Sequence, residues 1–204
     1  MKSPLSLTPT LLRKGYIHLR LSDPIMAGLI ERHGPCTLAH RPFEPFHTLT
    51  ASIISQQLSA KAADTIERRI AQLAPSPFQP KDILQIPASR LRRAGLSFRK
   101  AAYIHELAQR VADKQLSFDT LATADNDAVL TALIELPGIG QWTAEMFLIF
   151  GLKRPDVLSL TDAALQRAVR LLYGPLKQLR LVGRPWQPYS SIASWYLWRH
   201  LDVD

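Results

Sequence analysis

The chain has 204 residues, 47% of them apolar, enough to bury a core as one or two small domains. Its 25 basic against 17 acidic side chains leave a formal charge of +8, which favours a polyanionic partner, nucleic acid first and an anionic membrane surface second. The lone cysteine, Cys36, excludes an internal disulfide and an iron–sulfur cluster, which takes about four thiolates, and reads as a small buried residue. The N-terminus carries no signal-type apolar run, and no stretch approaches the roughly 18 apolar residues of a membrane span, so an intracellular, cytoplasmic protein is expected.

In chain order, Tyr16-Ile17-His18-Leu19-Arg20-Leu21 alternates and predicts a short strand, the only one. Helical periodicity dominates the rest. Phe46, Leu49, Ile53 and Ile54 share one helical face, and Gln56-Gln57 stand at the turn that follows. Arg90, Arg92, Arg93, Arg99 and Lys100 form a basic run around Gly95-Leu96-Ser97. Ala101, Ile104, Leu107, Ala108 and Val111 predict the next amphipathic helix. Prolines fall mainly between the helical patterns, and the chain contains no repeat.

Leu136-Pro137-Gly138-Ile139-Gly140 closes one helical pattern and opens another. Its glycines have no Cβ, so they can take φ > 0 and turn tightly, leaving N–H groups bare at a helix N-terminus. Such a terminus suits an anion, and without a Walker lysine the anion expected here is a nucleic-acid phosphate. Met146 to Phe150 is apolar all round, the mark of a helix buried on every side. Further on, Thr161 reads as an N-cap and Asp162 as the first residue of a helix carrying Leu165, Ala168, Val169 and Leu172. A carboxylate there is favoured by the helix dipole and stays ionised at neutral pH. Three of the four tryptophans, Trp186, Trp195 and Trp198, crowd the C-terminal segment. The histidines show no metal-ligand spacing.

The run Leu136 to Ala144, with Asp156-Val157-Leu158 and Asp162 to Ala168, resembles the helix–hairpin–helix DNA glycosylases, and within them the 3-methyladenine DNA glycosylase II branch. Ser55-Gln56-Gln57-Leu58-Ser59, Ala94-Gly95-Leu96-Ser97 with Arg99-Lys100-Ala101, and Trp186 through Trp198 match in the same order. The resemblance implies an all-α helix–hairpin–helix glycosylase fold of two helical domains, with the active site in the cleft between them. One domain comes from both chain ends, residues 1–41 and 155–204; the other, 42–154, is a six-helix barrel with the hairpin motif at about 133–150. The N-terminal β domain of longer members has no room here.

The same resemblance places the catalytic carboxylate on Asp162; the other acidic candidate, Asp156, reads as a structural cap or turn residue. The resemblance lines the base pocket with Trp142, Trp198 and Met146, the last at a position aromatic in some relatives. It sets the wedge that fills the vacated stack at Gln57 or Gln56. Phosphate contacts fall to the hairpin around Gly138, Gly140, Gln141 and Thr143, and to Ser97, Arg99 and Lys100. A monovalent cation on the carbonyls of Ile134, Leu136 and Ile139 is expected, but no required cofactor. Relatives that also cut the strand carry a Schiff-base lysine where this chain has Trp142, and an indole supplies no amine. The function implied is monofunctional hydrolysis of alkylated purines from duplex DNA by a monomer. The alternatives are a glycosylase–lyase for other damaged bases and a non-catalytic DNA-binding module.

Overall fold

The computed structural model describes residues 6–203, which contain helices and no strand. Thirteen α-helices occur among them. The first five are α1 (Pro9–Ser22), α2 (Pro24–His33), α3 (Pro45–Ser55), α4 (Ala60–Ala71) and α5 (Pro80–Leu84). Next come α6 (Ala88–Arg93), α7 (Phe98–Ala112), α8 (Phe118–Thr123), α9 (Asn126–Ile134) and α10 (Gln141–Met146). The last three are α11 (Ala163–Tyr173), α12 (Leu179–Val182) and α13 (Ser190–Val203). No described helix is long and apolar enough to cross a membrane. The chain divides into two compact units, Phe43–Phe147 and the described residues of Leu5–Pro42 with Leu148–Asp204.

In the unit Phe43–Phe147, α3 packs against α4, α7 and α10, and α7 also carries α5 and α6. The helical spacing of the sequence is what is buried: Phe46, Leu49, Ile53 and Ile54 on α3, and Ala101, Ile104, Leu107 and Ala108 on α7. Polar caps set the starts. Ser59, Ser97, Ser117 and Asp125 each accept a backbone N–H in the first turn of α4, α7, α8 and α9.

The other unit joins the chain ends, with α13 packed against α11, α2 and α1. The alternation at 16–21 belongs to α1, not to a strand. Thr8 Oγ1 caps the helix at the Leu11 N–H and Pro9 occupies its first turn, where the missing donor costs nothing. A strand would put Ile17, Leu19 and Leu21 on one face; instead Leu19 is fully buried while Ile17 and Leu21 are 62% and 84% exposed.

Asp23 joins three parts of this unit. Its Oδ1 accepts the Ile25 and Met26 N–H groups, capping α2, and its Oδ2 accepts the Tyr173 hydroxyl and the Trp186 indole N–H, each at 2.7 Å. Burial first, and the bond to Asp23 second, push the Tyr173 phenol far above its ordinary pKa. Trp186 is fully buried, a core residue.

Cys36 lies in the same core, fully buried, and desolvation raises its thiol pKa to about 12. The thiolate is the reactive form, so native protein at pH 8 should resist a thiol reagent that labels it fully in guanidinium. Stoichiometric labelling of the folded protein would contradict this burial.

Candidate active site

In the unit built from the chain ends, Asp162 is itself the N-cap of α11, so the cap falls one residue later than the sequence suggests and Thr161 lies outside the helix. Aspartate caps at least as well as threonine, and its backbone is extended, φ −68° and ψ 115°. Oδ1 accepts the Leu165 N–H at 2.7 Å and the Trp198 indole N–H at 3.3 Å. The residue is only 6% exposed. One carboxylate oxygen is therefore held by both a helix terminus and an indole. Asp156 acts elsewhere, its Oδ1 accepting both the N–H and the hydroxyl of Ser190, which starts α13.

Trp198 sits half-buried on α13 beside Phe150, with ring centroids 5.5 Å apart and planes tilted by 33°. Phe150 lies in the π-helical segment Phe147–Gly151, and the Arg41 guanidinium stands 5.1 Å from its ring centroid. A pocket of about 630 Å³ opens here, lined among others by Arg41, Phe150, Trp195, Trp198 and Arg199. Trp195 is half-buried with its ring edge-on to Tyr196. Residue type and spacing did not single out Phe150 or Arg41. Only the fold sets them beside a tryptophan that follows about fifty residues after Phe150.

In the unit Phe43–Phe147 the hairpin joins α9 to α10. Gly138 takes φ +81°, and a Cβ there would lie 2.1 Å from the Tyr103 ring of α7, so both conformation and space demand glycine. Gly140 differs from the expectation. Its φ is −96°, a Cβ would meet nothing within 4 Å, and it serves as the N-cap of α10 with no side-chain cap. Gln141 is exposed and donates its amide to Glu145 Oε1 at 2.8 Å. Trp142 is half-buried, and Thr143 and Met146 are buried. The Leu136 carbonyl accepts the Ile139 N–H at 3.1 Å, and Ile134 ends α9. Among the described residues no cluster of His, Cys, Asp and Glu could hold a metal ion.

The two wedge candidates separate. Gln56 Nε2 donates to the Gly138 carbonyl at 2.8 Å and to Thr143 Oγ1 at 3.0 Å, tying the turn after α3 to the hairpin. Gln57 is exposed at φ +58°, and Leu58 beside it is 40% exposed. Ser97 caps α7, and Arg99 is exposed with Arg90, Arg92 and Arg93. Phe98 stands 70% exposed within this basic run, with the Arg92 guanidinium 5.9 Å from its ring centroid. The Lys100 ammonium is placed otherwise: it donates to the Ile54 carbonyl at 2.7 Å and the Gln56 carbonyl at 2.6 Å, and desolvation lowers its pKa.

The family described as HhH-GPD superfamily base excision DNA repair protein matches residues 50–180, well over half of the chain. The chain belongs to the HhH-GPD superfamily. Among superfamily relatives, the alkylbase DNA glycosidase-like protein mag2 of Schizosaccharomyces pombe is 28% identical over 192 residues, covering 89% of this chain and 90% of its own. The crystal structure of a DNA-3-methyladenine glycosidase from Bacillus halodurans is 37% identical, with a TM-score of 0.75 over 91% of this chain and 88% of that one. The 3-methyladenine DNA glycosylase Mag1 of Schizosaccharomyces pombe, in complex with abasic DNA, is 27% identical, with a TM-score of 0.78 over 93% of this chain and 97% of that one. The HhH-GPD match spans the hairpin, the turn after α3 and Asp162.

Proposed function

We propose that this chain is a monofunctional DNA glycosylase that hydrolyses the N-glycosidic bond of alkylated purines, chiefly 3-methyladenine, in duplex DNA. The observation that carries this reading is the buried Asp162 carboxylate bonded to the Trp198 indole. A module that only binds DNA works through phosphate contacts and needs neither group. The names of the relatives and the similar structure bound to abasic DNA support the substrate class.

In the proposed reaction the C1′–N bond lengthens, the purine leaves with the bonding pair, and positive charge grows on the deoxyribose. Asp162 opposes that charge and orients the water that adds to C1′ and loses its proton to bulk solvent. Alkylation at N3 or N7 makes the purine cationic, so it departs neutral and needs no strong general acid. Reception of the flipped base is assigned to the indole faces of Trp198 and Trp142 and to Met146. A cation over such a face gains about 0.5–2 kcal/mol.

A base must leave the stack to be cut. Gln57 is the proposed wedge, because it is exposed while the Gln56 amide is engaged. N–H groups of the hairpin around Gly138, Gly140, Gln141 and Thr143, together with Ser97 and Arg99, would hold phosphates. The Ile134, Leu136 and Ile139 carbonyls are neutral oxygen donors of the kind a monovalent cation takes; the hydrolysis itself calls for no cofactor. We further propose a monomer acting where chromosomal DNA lies, in the cytoplasm of a bacterium or the nucleus of a eukaryote.

The test is to incubate the protein with alkylated duplex DNA, chromatograph the released bases, and add borohydride during turnover. Free 3-methyladenine should appear with the strand uncut and no protein trapped on DNA, since Trp142 stands where an amine would form the imine. Binding without base release would leave only a DNA-binding module. A trapped adduct with strand cleavage in step would make the protein a glycosylase–lyase.

A further inference from the structure

The side chain of Lys100 has a chemistry that the basic run around it does not explain. An exposed cation in a DNA-binding face points to solvent or phosphate. This ammonium instead turns inward, onto the carbonyls of Ile54 and Gln56 at the C-terminal end of α3. A helix C-terminus presents carbonyls without intrahelical partners and the negative end of the dipole, and a lysine that caps them fixes the exit of the chain. The bonds, at 2.7 and 2.6 Å, are short, as expected where the donor is charged.

The residue so held is itself the link to the hairpin. The Gln56 carbonyl accepts from Lys100, while its amide donates to the Gly138 carbonyl and the Thr143 hydroxyl. The hairpin in turn seats Gly138 against the Tyr103 ring, on the helix that carries Lys100. α3, α7 and the hairpin are thereby closed into one loop of contacts. Immediately after it comes Gln57 at φ +58°, a conformation costly for a residue with a Cβ and kept only where neighbours impose it.

We propose that Lys100 is a positioning residue: it clasps the turn after α3 to the hairpin and so sets Gln57 at the height where it can enter the duplex. Lys100 then makes no phosphate contact. This rests on the glycosylase reading above for its functional consequence, but the clasp itself does not depend on it.

Lys100→Met keeps the aliphatic stem and removes both charged hydrogen bonds. Three measurements on this variant decide the matter: single-turnover excision at saturating enzyme, the salt dependence of affinity for undamaged duplex, and hydrogen exchange of the 56–59 amides. Excision should fall about 10- to 100-fold, the scale on which small misplacements act. The salt slope should stay as in the wild type, and exchange at 56–59 should rise. A slope reduced by about 0.9, one phosphate contact, with affinity and excision falling together, would overturn the clasp. So would wild-type exchange at 56–59. A wild-type protein that releases no base sinks the glycosylase reading instead, and the exchange and salt measurements still judge the clasp. Should Lys100→Met fail to fold, Gln56→Leu removes the other half of the clasp. Raised exchange at 57–59 with an unchanged salt slope then supports the clasp, and unchanged exchange overturns it.

Discussion

Replacing Asp162 by Asn should abolish base release, lowering single-turnover excision by about 10²-fold or more, while duplex affinity stays near normal. The geometry makes this substitution clean. Asp162 caps α11 through Oδ1, and asparagine is an equally good N-cap, so its amide oxygen can keep the bonds to the Leu165 and Trp198 N–H groups. What disappears is the negative charge proposed to oppose the developing sugar cation. Asp162→Ala would confuse matters by also losing the cap, which costs about 1 kcal/mol of stability. Excision kinetics and thermal unfolding of the Asn variant together check the assignment. A D162N protein that unfolds at the wild-type temperature and still releases 3-methyladenine at nearly the wild-type rate removes Asp162 from catalysis.

The second large effect is expected at Trp198. Its Ala variant should lose about 10- to 100-fold in excision, since stacking of a base on an aromatic ring contributes about 1–3 kcal/mol. Affinity for undamaged duplex should change little, because that comes from phosphate contacts and net charge. The structure adds a complication and its control. The indole N–H donates to Asp162 and the ring lies beside Phe150, so truncation loosens both the carboxylate and the neighbouring ring. Trp198→Phe keeps a stacking surface and drops the donor. Excision by the Phe variant should lie between wild type and Ala, and the gap between Phe and Ala measures the stacking. If Ala and Phe lower the unfolding temperature, duplex affinity and excision in parallel, Trp198 is a core residue and no more.

Much of the fold was legible from local periodicity. The faces of α3, α7 and α11 are spelled by apolar residues recurring every three to four positions, and that spacing alone decides which side of a helix loses contact with water. The hairpin was legible because Gly138 occupies a backbone state that other residues resist. Asp162 stood out as an acid at the head of a helix, although its cap position was displaced by one residue, since Thr161 and Asp162 are both competent caps. The segment Tyr16 to Leu21 misled because six residues can satisfy alternation and helical spacing alike. Its surroundings, the Thr8 cap and the burial of Leu12 and Leu19, decided for the helix.

The sequence by itself determined a largely helical, basic chain with a glycine hairpin, a candidate carboxylate and no lysine at position 142, because each of these is a local property of residue type and spacing. Only the tertiary structure decided which side chains meet. The Trp198 indole reaches a carboxylate 36 positions earlier, Asp23 gathers Tyr173 and Trp186 from 150 and 163 positions later, and Lys100 turns from the basic face to carbonyls about 45 positions back. Hydrogen bonds and ring contacts act over a few ångströms in space. A sequence lists which groups could make them; the packing of helices selects the ones that do.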